Sequence, residues 1–330
     1  MRKKLWMMLA VVAVLFGVSS AHAVEIKMAL IAPDGSTWAK VMEQWNAELS
    51  EKTAGRLKLK IYAGGVLGDE RDVVRKMQIG QVHMAGFTGL GLGIINPSVR
   101  VLELPLLFNS YEEADAVTKK LQPKLVQGFE QKGFVLLGWA ETGFVNIFSN
   151  KPIATRENMD GMKMWMWEGD PLVKSLYEHF NIVPIPLALP DVLTSLSTNL
   201  VDAVYAPPLG AIALQWFTKT KYMTDLKLAD STGGILITKN ALSSIPEADR
   251  KIFEETAKKY SKIMTDRTRA DNEKSYASLT KAGIKIVKVP PDELEQIRKI
   301  SQEVWKDLAG KLYSQDLLNE AMATVTEMRK

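Results

Sequence analysis

Cysteine is absent from all 330 residues. That excludes disulfides, a lipid-modified N-terminal cysteine and metal sites built on thiolates. Histidine is almost as scarce. His22 lies in a segment expected to be removed, which leaves His83 and His179, far apart in the chain and without an evident nucleophile partner. No G-x-S-x-G elbow, H-E-x-x-H helix or Walker loop occurs, so hydrolytic, zinc-protease and nucleotide chemistry find no support. A dominant charge is missing too: 42 Lys and Arg stand against 38 Asp and Glu, interspersed as on an ordinary solvated surface, which gives nucleic acid no reason to bind. Beyond the N-terminal segment no run approaches the roughly 18 apolar residues of a membrane span.

What is present begins with an export signal. Arg2, Lys3 and Lys4 precede an apolar stretch from Leu5 to Val18, and Ala21-His22-Ala23 supplies the small-residue cleavage pattern. Residues 1–23 therefore read as a secretory signal peptide cleaved after Ala23, with a mature chain that is periplasmic and not itself membrane-anchored. The net charge of +4 includes that segment's three positive residues, so the mature chain is nearly neutral. It is long enough to bury a large core without covalent staples and to form two domains.

Strand and helix periodicities alternate along the mature chain. Glu25–Leu30 reads as a strand, Pro33-Asp34-Gly35-Ser36 as a turn, and Ser36 as the cap of a helix from Thr37 to about Thr53. Leu57, Leu59 and Ile61 alternate with lysines, a half-buried strand. A helix carrying Val73, Val74 and Met77 follows, then an apolar strand at Met84–Phe87. The pattern restarts at Gly133, with strands at Phe134–Trp139, Val145–Phe148, Lys163–Trp167, Ile182–Ile185 and Ala203–Tyr205. Glu247–Ala282 is one long charged helix, expected to bridge both domains. Ile284–Val289 is a last strand and Asp292–Arg329 is helical. This is an α/β chain of two lobes, in which ligands sit beyond the carboxyl ends of the strands. The expected division is 24–145 plus 235–268 for lobe I and 146–234 plus 269–330 for lobe II, with hinge strands between them.

Candidate site residues are mainly aromatic. Gly86-Phe87-Thr88-Gly89-Leu90-Gly91-Leu92-Gly93 contains G-x-G-x-G without a dinucleotide fingerprint and reads as a close-packed loop after a strand, whose Thr88 and Phe87 meet a ligand. In Met162-Lys163-Met164-Trp165-Met166-Trp167, strand alternation sets Lys163, Trp165 and Trp167 opposite three methionines. Methionine packs readily in cores, which leaves the tryptophans to face a cleft; the alternative is tryptophans in the core and methionines under a helix.

Several segments together resemble the solute-binding subunit of tripartite ATP-independent periplasmic (TRAP) transporters, the DctP-like family. They are Glu51-Lys52-Thr53-Ala54-Gly55-Arg56, Leu67-Gly68-Asp69-Glu70-Arg71-Asp72, Gln78-Ile79-Gly80-Gln81-Val82, Leu104-Pro105-Leu106-Leu107-Phe108, Asn158-Met159-Asp160-Gly161-Met162-Lys163 and Val201-Asp202-Ala203. The resemblance implies two α/β lobes closing on one small molecule, which passes to a membrane permease. It implies a binding protein, with no catalytic residue, cofactor or metal. It also implies an arginine two residues after that lysine and another in a G-F-R segment, and here Trp165 and Val145 stand at those positions. The family's stacking phenylalanine corresponds to Leu189, and Tyr205-Ala206-Pro207-Pro208 stands where members carry an asparagine. Indole and isopropyl groups cannot reproduce the paired charge-assisted bonds of a guanidinium, so C4-dicarboxylates and sialic acid are unexpected ligands.

The expected pocket thus comprises Trp165, Trp167, Trp139, Phe144, Tyr205, Phe87, Thr88, Trp38, Glu141, Pro207 and Leu189, and takes an aromatic or hydrophobic solute, including organic acids. A quaternary ammonium is a rival, with Glu141 or Glu168 as counter-charge. A periplasmic enzyme or a ligand sensor on the same scaffold is the alternative function.

Overall fold

The computed structural model describes residues 23–330; the export signal read from the sequence lies outside them except for Ala23. The first half builds β1 (Val24–Leu30), α1 (Thr37–Lys52), β2 (Leu57–Tyr62), α2 (Glu70–Gln78), β3 (Met84–Thr88), α3 (Gly89–Ile95), α4 (Tyr111–Gln131) and β4 (Phe134–Phe144). Ser36 caps α1 as expected, its hydroxyl accepting from Ala39 N at 3.3 Å. Asp69 caps α2. The chain then crosses into β5 (Asn146–Ser149), β6 (Lys163–Trp167), α5 (Pro171–His179), β7 (Val183–Leu187), α6 (Val192–Ser197), β8 (Ala203–Ala206), α7 (Pro208–Ala213) and β9 (Tyr222–Asp225). It returns through β10 (Asp230–Thr238) and α8 (Lys239–Ser244). The remainder is α9 (Glu247–Lys281), β11 (Lys285–Lys288), α10 (Pro291–Leu308) and α11 (Gln315–Met328).

Two sheets result. The first runs β2-β1-β3-β10-β4 and the second β11-β9-β5-β8-β6-β7. In the first, β2, β1 and β3 are parallel while β10 runs antiparallel between β3 and β4. In the second, β5 runs antiparallel to β8 and β9, and β6 is parallel to both its neighbours. Strand β7, at the edge, carries Pro184 and Pro186, which remove N–H donors and blunt further strand pairing.

The chain passes between the sheets three times: around Val145, between Asp225 and Asp230, and along α9 from β10 to β11. The expected division at 234/235 falls inside β10, whose pairing with β4 already begins at Asp230 opposite Phe144. The stretch read as helical, Asp292–Arg329, forms two helices: Gly310 takes a left-handed φ of 79°, and Ser314 caps the second by accepting from Leu317 N. That second helix, α11, packs on α4 beside the first sheet, while α10 packs on α5 beside the second. Helix α9, 35 residues and so about 52 Å long, lies against α1 and β4 at one end and α7 at the other. It ties the two lobes together along one side.

Candidate ligand-binding cleft

A cavity of about 320 Å³ lies between the two sheets. Its lining comes from the turn after β1, from Thr88 at the end of β3, from Trp167 at the end of β6 and from Ala206 and Pro207 at the end of β8, with Thr268 of α9 alongside. These are carboxyl ends of strands, where parallel sheets leave space between diverging connections.

Its second-lobe wall is aromatic. The Trp165 ring stacks on Tyr205 at 4.8 Å and meets Trp216 edge-on at 5.1 Å and Trp167 at 5.1 Å. Alternation along β6 operates as read: Met164 and Met166 enter a different core from Trp165. Trp165 is nevertheless only 1% exposed, its indole N–H donating to Leu187 O at 3.1 Å. It forms the backing of the wall, and Trp167 and Tyr205 lie in front, partly exposed.

The cleft is poor in charge. Lys40, exposed at the mouth, is the one ionisable lysine, arginine or carboxylate side chain in its lining, and Val145 contributes an isopropyl group. Its distinctive polar atoms are neutral. Trp38 Nε1 and Thr268 Oγ1 are buried without a hydrogen-bond partner in the protein, and both residues line this cavity. Buried donors left unpaired cost free energy of about 1–3 kcal/mol each, and both residues that carry them belong to the wall of this one cavity.

A second, inner chamber of about 90 Å³ shares Thr88, Val145, Trp167, Tyr205 and Ser231 with the cleft. Its charged corner is a buried triad. Arg100 Nε lies 3.0 Å from Glu103 Oε2, and Arg100 Nη2 lies 3.0 Å from Asp170 Oδ2 across the lobes. Asp170 also caps α5, accepting from Leu172 N and Val173 N. The glycines after β3 exist to admit this corner: a Cβ on Gly89 would stand 2.0 Å from Glu103 Oε2, and one on Gly93 2.6 Å from Arg100 Cδ. Burial, with Asp170 as a like-charged neighbour, pushes Glu103 up to about 7 despite the opposing pull of Arg100. Burial opposes the charge on Arg100, but the two carboxylates outweigh it and hold the guanidinium protonated. Nearby, Glu70 is also pushed up to about 7 by burial, although Thr88 N, Thr88 Oγ1 and Gly91 N all donate to it.

The lobes are clasped at the rim. Asp69 accepts from Trp167 Nε1 at 2.9 Å and from Leu189 N at 3.2 Å. Arg71 Nη2 donates to Glu168 O at 3.4 Å. Trp167 thus serves both as wall and as latch.

Of the residues singled out in the sequence, the structure brings Trp38, Thr88, Trp165, Trp167, Leu189, Tyr205 and Pro207 together around the cleft. It places four elsewhere. Phe87 is buried beneath α3. Phe144 packs on Tyr111 at 4.8 Å, and Trp139 faces Phe129. Glu141 is held by Arg269, Nη2 to Oε2 at 2.8 Å. It is therefore no counter-charge for a cation in the aromatic wall, nor is the exposed Glu168 among the cleft's lining residues. His83 accepts from Lys27 N, and His179 meets Asp307; neither lines the cleft. Among the described residues no group of three His, Cys, Asp or Glu is placed to hold a metal ion. Thr268, Ser231 and Trp216 were not read as site residues. Only the packing of α9 and β10 against the cleft reveals the first two, and no local pattern marks them.

Two α/β lobes joined by three crossings, with a solute-sized cavity at the strand ends between them, define a bilobal solute receptor. The chain belongs to the family described as bacterial extracellular solute-binding protein, family 7, whose model matches residues 28–312. A solute-binding protein of Verminephrobacter eiseniae is 29% identical over 258 residues, covering 77% of this chain and 75% of that protein. The TRAP periplasmic solute binding protein of Ralstonia eutropha H16, solved with bound (S)-2-acetolactate, superposes with a TM-score of 0.87 at 23% identity, covering 93% of this chain and 100% of the other. A sugar acid binding protein of Advenella mimigardefordensis, solved in complex with galactonate, gives 0.87 at 19% identity, covering 93% and 99%. The two-lobed fold and the family expected from the sequence hold.

Proposed function

We propose that this chain is the periplasmic capture subunit of a TRAP-type importer, a non-catalytic receptor that closes on a small organic acid and delivers it to the membrane permease. The observation that carries this reading is the cleft itself: a cavity at the strand ends of both lobes, lined by an aromatic wall and by Trp38 and Thr268, whose Nε1 and Oγ1 are neutral, buried and without a partner. The bound acids in the two structural relatives support the class of solute. The lining supports its character. With Val145 and Trp165 at the expected arginine positions, a carboxylate is held by neutral donors, with Lys40 at the mouth, and the rest of the molecule lies on Trp167 and Tyr205. Dicarboxylates, whose second charge would meet no arginine, bind weakly. The lobes exchange around Val145, between Asp225 and Asp230, and along α9, and these crossings serve as the hinge.

Thermal unfolding with a panel of acids tests this, each acid paired with its amide and with a quaternary ammonium of similar bulk. A ligand that binds only the native state at about 100 times its Kd adds about 2.7 kcal/mol. Monocarboxylates with apolar or aromatic bodies should raise the midpoint by several degrees, and the amides and ammonium compounds should not. Stabilisation by the ammonium compounds alone would overturn the reading.

A further inference from the structure

We propose that the inner chamber is a second compartment of the same site, which takes the apolar tail of a monocarboxylate whose head stays in the cleft. The inference rests on the cleft reading above and deepens it. Continuity is the first argument: five residues, Thr88, Val145, Trp167, Tyr205 and Ser231, line both spaces and so form the partition between them. Composition is the second. Beyond the partition the chamber is bounded by Leu90, Met164, Leu172, Val173, Phe180 and Leu228, all hydrocarbon or thioether.

Charge fixes the orientation. The one cation facing the chamber, Arg100, already lies 3.0 Å from each of two carboxylates. A third carboxylate there would lie against Glu103 and Asp170, two acids that already share that one guanidinium, and would be desolvated beside them. The cleft is lined by Trp38 and Thr268, whose Nε1 and Oγ1 are unpartnered and have no carboxylate of the protein beside them in its lining. The acid therefore enters tail first. Val145 then has a consequence of its own: a short apolar side chain at the partition leaves a passage that a longer side chain there would fill. The ligand class is a straight-chain or aryl-alkyl monocarboxylate, discriminated by tail length.

The test is calorimetric titration of the mature protein with acetate, butyrate, hexanoate and octanoate. Each methylene buried should tighten binding about fourfold, with the gain ending once the chamber is full, between butyrate and octanoate. Val173→Phe, which fills the chamber, should abolish the gain for the longer acids while leaving acetate unchanged. Phe180→Leu, which enlarges it, should move the optimum to a longer chain and guards against a filling variant that fails to fold. Affinity independent of chain length, or a gain with length that neither variant alters, overturns the compartment while leaving the cleft reading standing. Failure of every acid to bind wild-type protein overturns both.

Discussion

At the scale of single residues, burial decides what each polar group does. Glu103 and Glu70 are both held near 7, well above the ordinary carboxylate range, because burial penalises their charged forms. The consequence for stability has a definite sign. Between about 4.5, the ordinary value, and about 7, the folded chain binds more protons than the unfolded chain, so stability falls as pH rises through that window. Each group contributes up to about 3 kcal/mol to the fall. Urea unfolding at pH 5 and pH 8 should show wild type weaker at pH 8, and Glu103→Gln should reduce the difference, since the amide has no proton to lose. A variant whose pH profile runs parallel to wild type would show that Glu103 does not titrate in this range.

Trp165 illustrates the same lesson. The alternation of Lys163-Met164-Trp165-Met166-Trp167 correctly assigns its face, because strand geometry is local. It cannot say how deep the residue sits. Tyr205 stacking in front of it comes from a strand paired only through the fold.

At the scale of elements, the clasp at the rim couples closure to binding. Asp69 is the cap of α2 and also the acceptor for Trp167 Nε1 and Leu189 N from the other lobe. Asp69→Asn keeps a good capping group but loses charge, and one amide oxygen cannot serve every donor. Hydrogen bonds to charged groups are worth about 1.5–3 kcal/mol. The variant should bind its acid about tenfold more weakly, through faster release, with a melting point close to wild type. An unchanged dissociation rate would remove the clasp from the account.

Most strands and the bridging helix are legible in the sequence because their periodicity is strong: Leu57, Leu59 and Ile61 on β2, or the unbroken helical spacing of Phe253, Ala257, Tyr260 and Met264 on α9. Strand β10 is not, since Asp230-Ser231-Thr232-Gly233-Gly234 opens it without alternation. Its place between β3 and β4 is decided by partners distant in the chain. The break between α10 and α11 rests on a left-handed glycine and a capping serine, signals that helical periodicity on either side conceals. Glu141 and Phe144 look equally available for a ligand until Arg269 and Tyr111 are seen to occupy them.

At the scale of the whole molecule, the lobes meet through the buried Arg100–Asp170 pair, the rim contacts of Asp69 and Arg71, the length of α9 and an apolar core to which both lobes contribute. Between them lies a cavity whose neutral donors have no partner until a solute supplies one. That is the central claim, and the unpartnered donors test it because the free protein does not use them. Removing Trp38 Nε1 and Thr268 Oγ1 forfeits no internal hydrogen bond, so Trp38→Phe/Thr268→Val should cost stability only through the smaller ring. The deciding measurement is calorimetric titration of this double variant with the most strongly stabilising monocarboxylate from the thermal panel. The account predicts a Kd at least about tenfold weaker than wild type, as expected for lost hydrogen bonds to a charged group. A Kd equal to wild type in a folded double variant would contradict it.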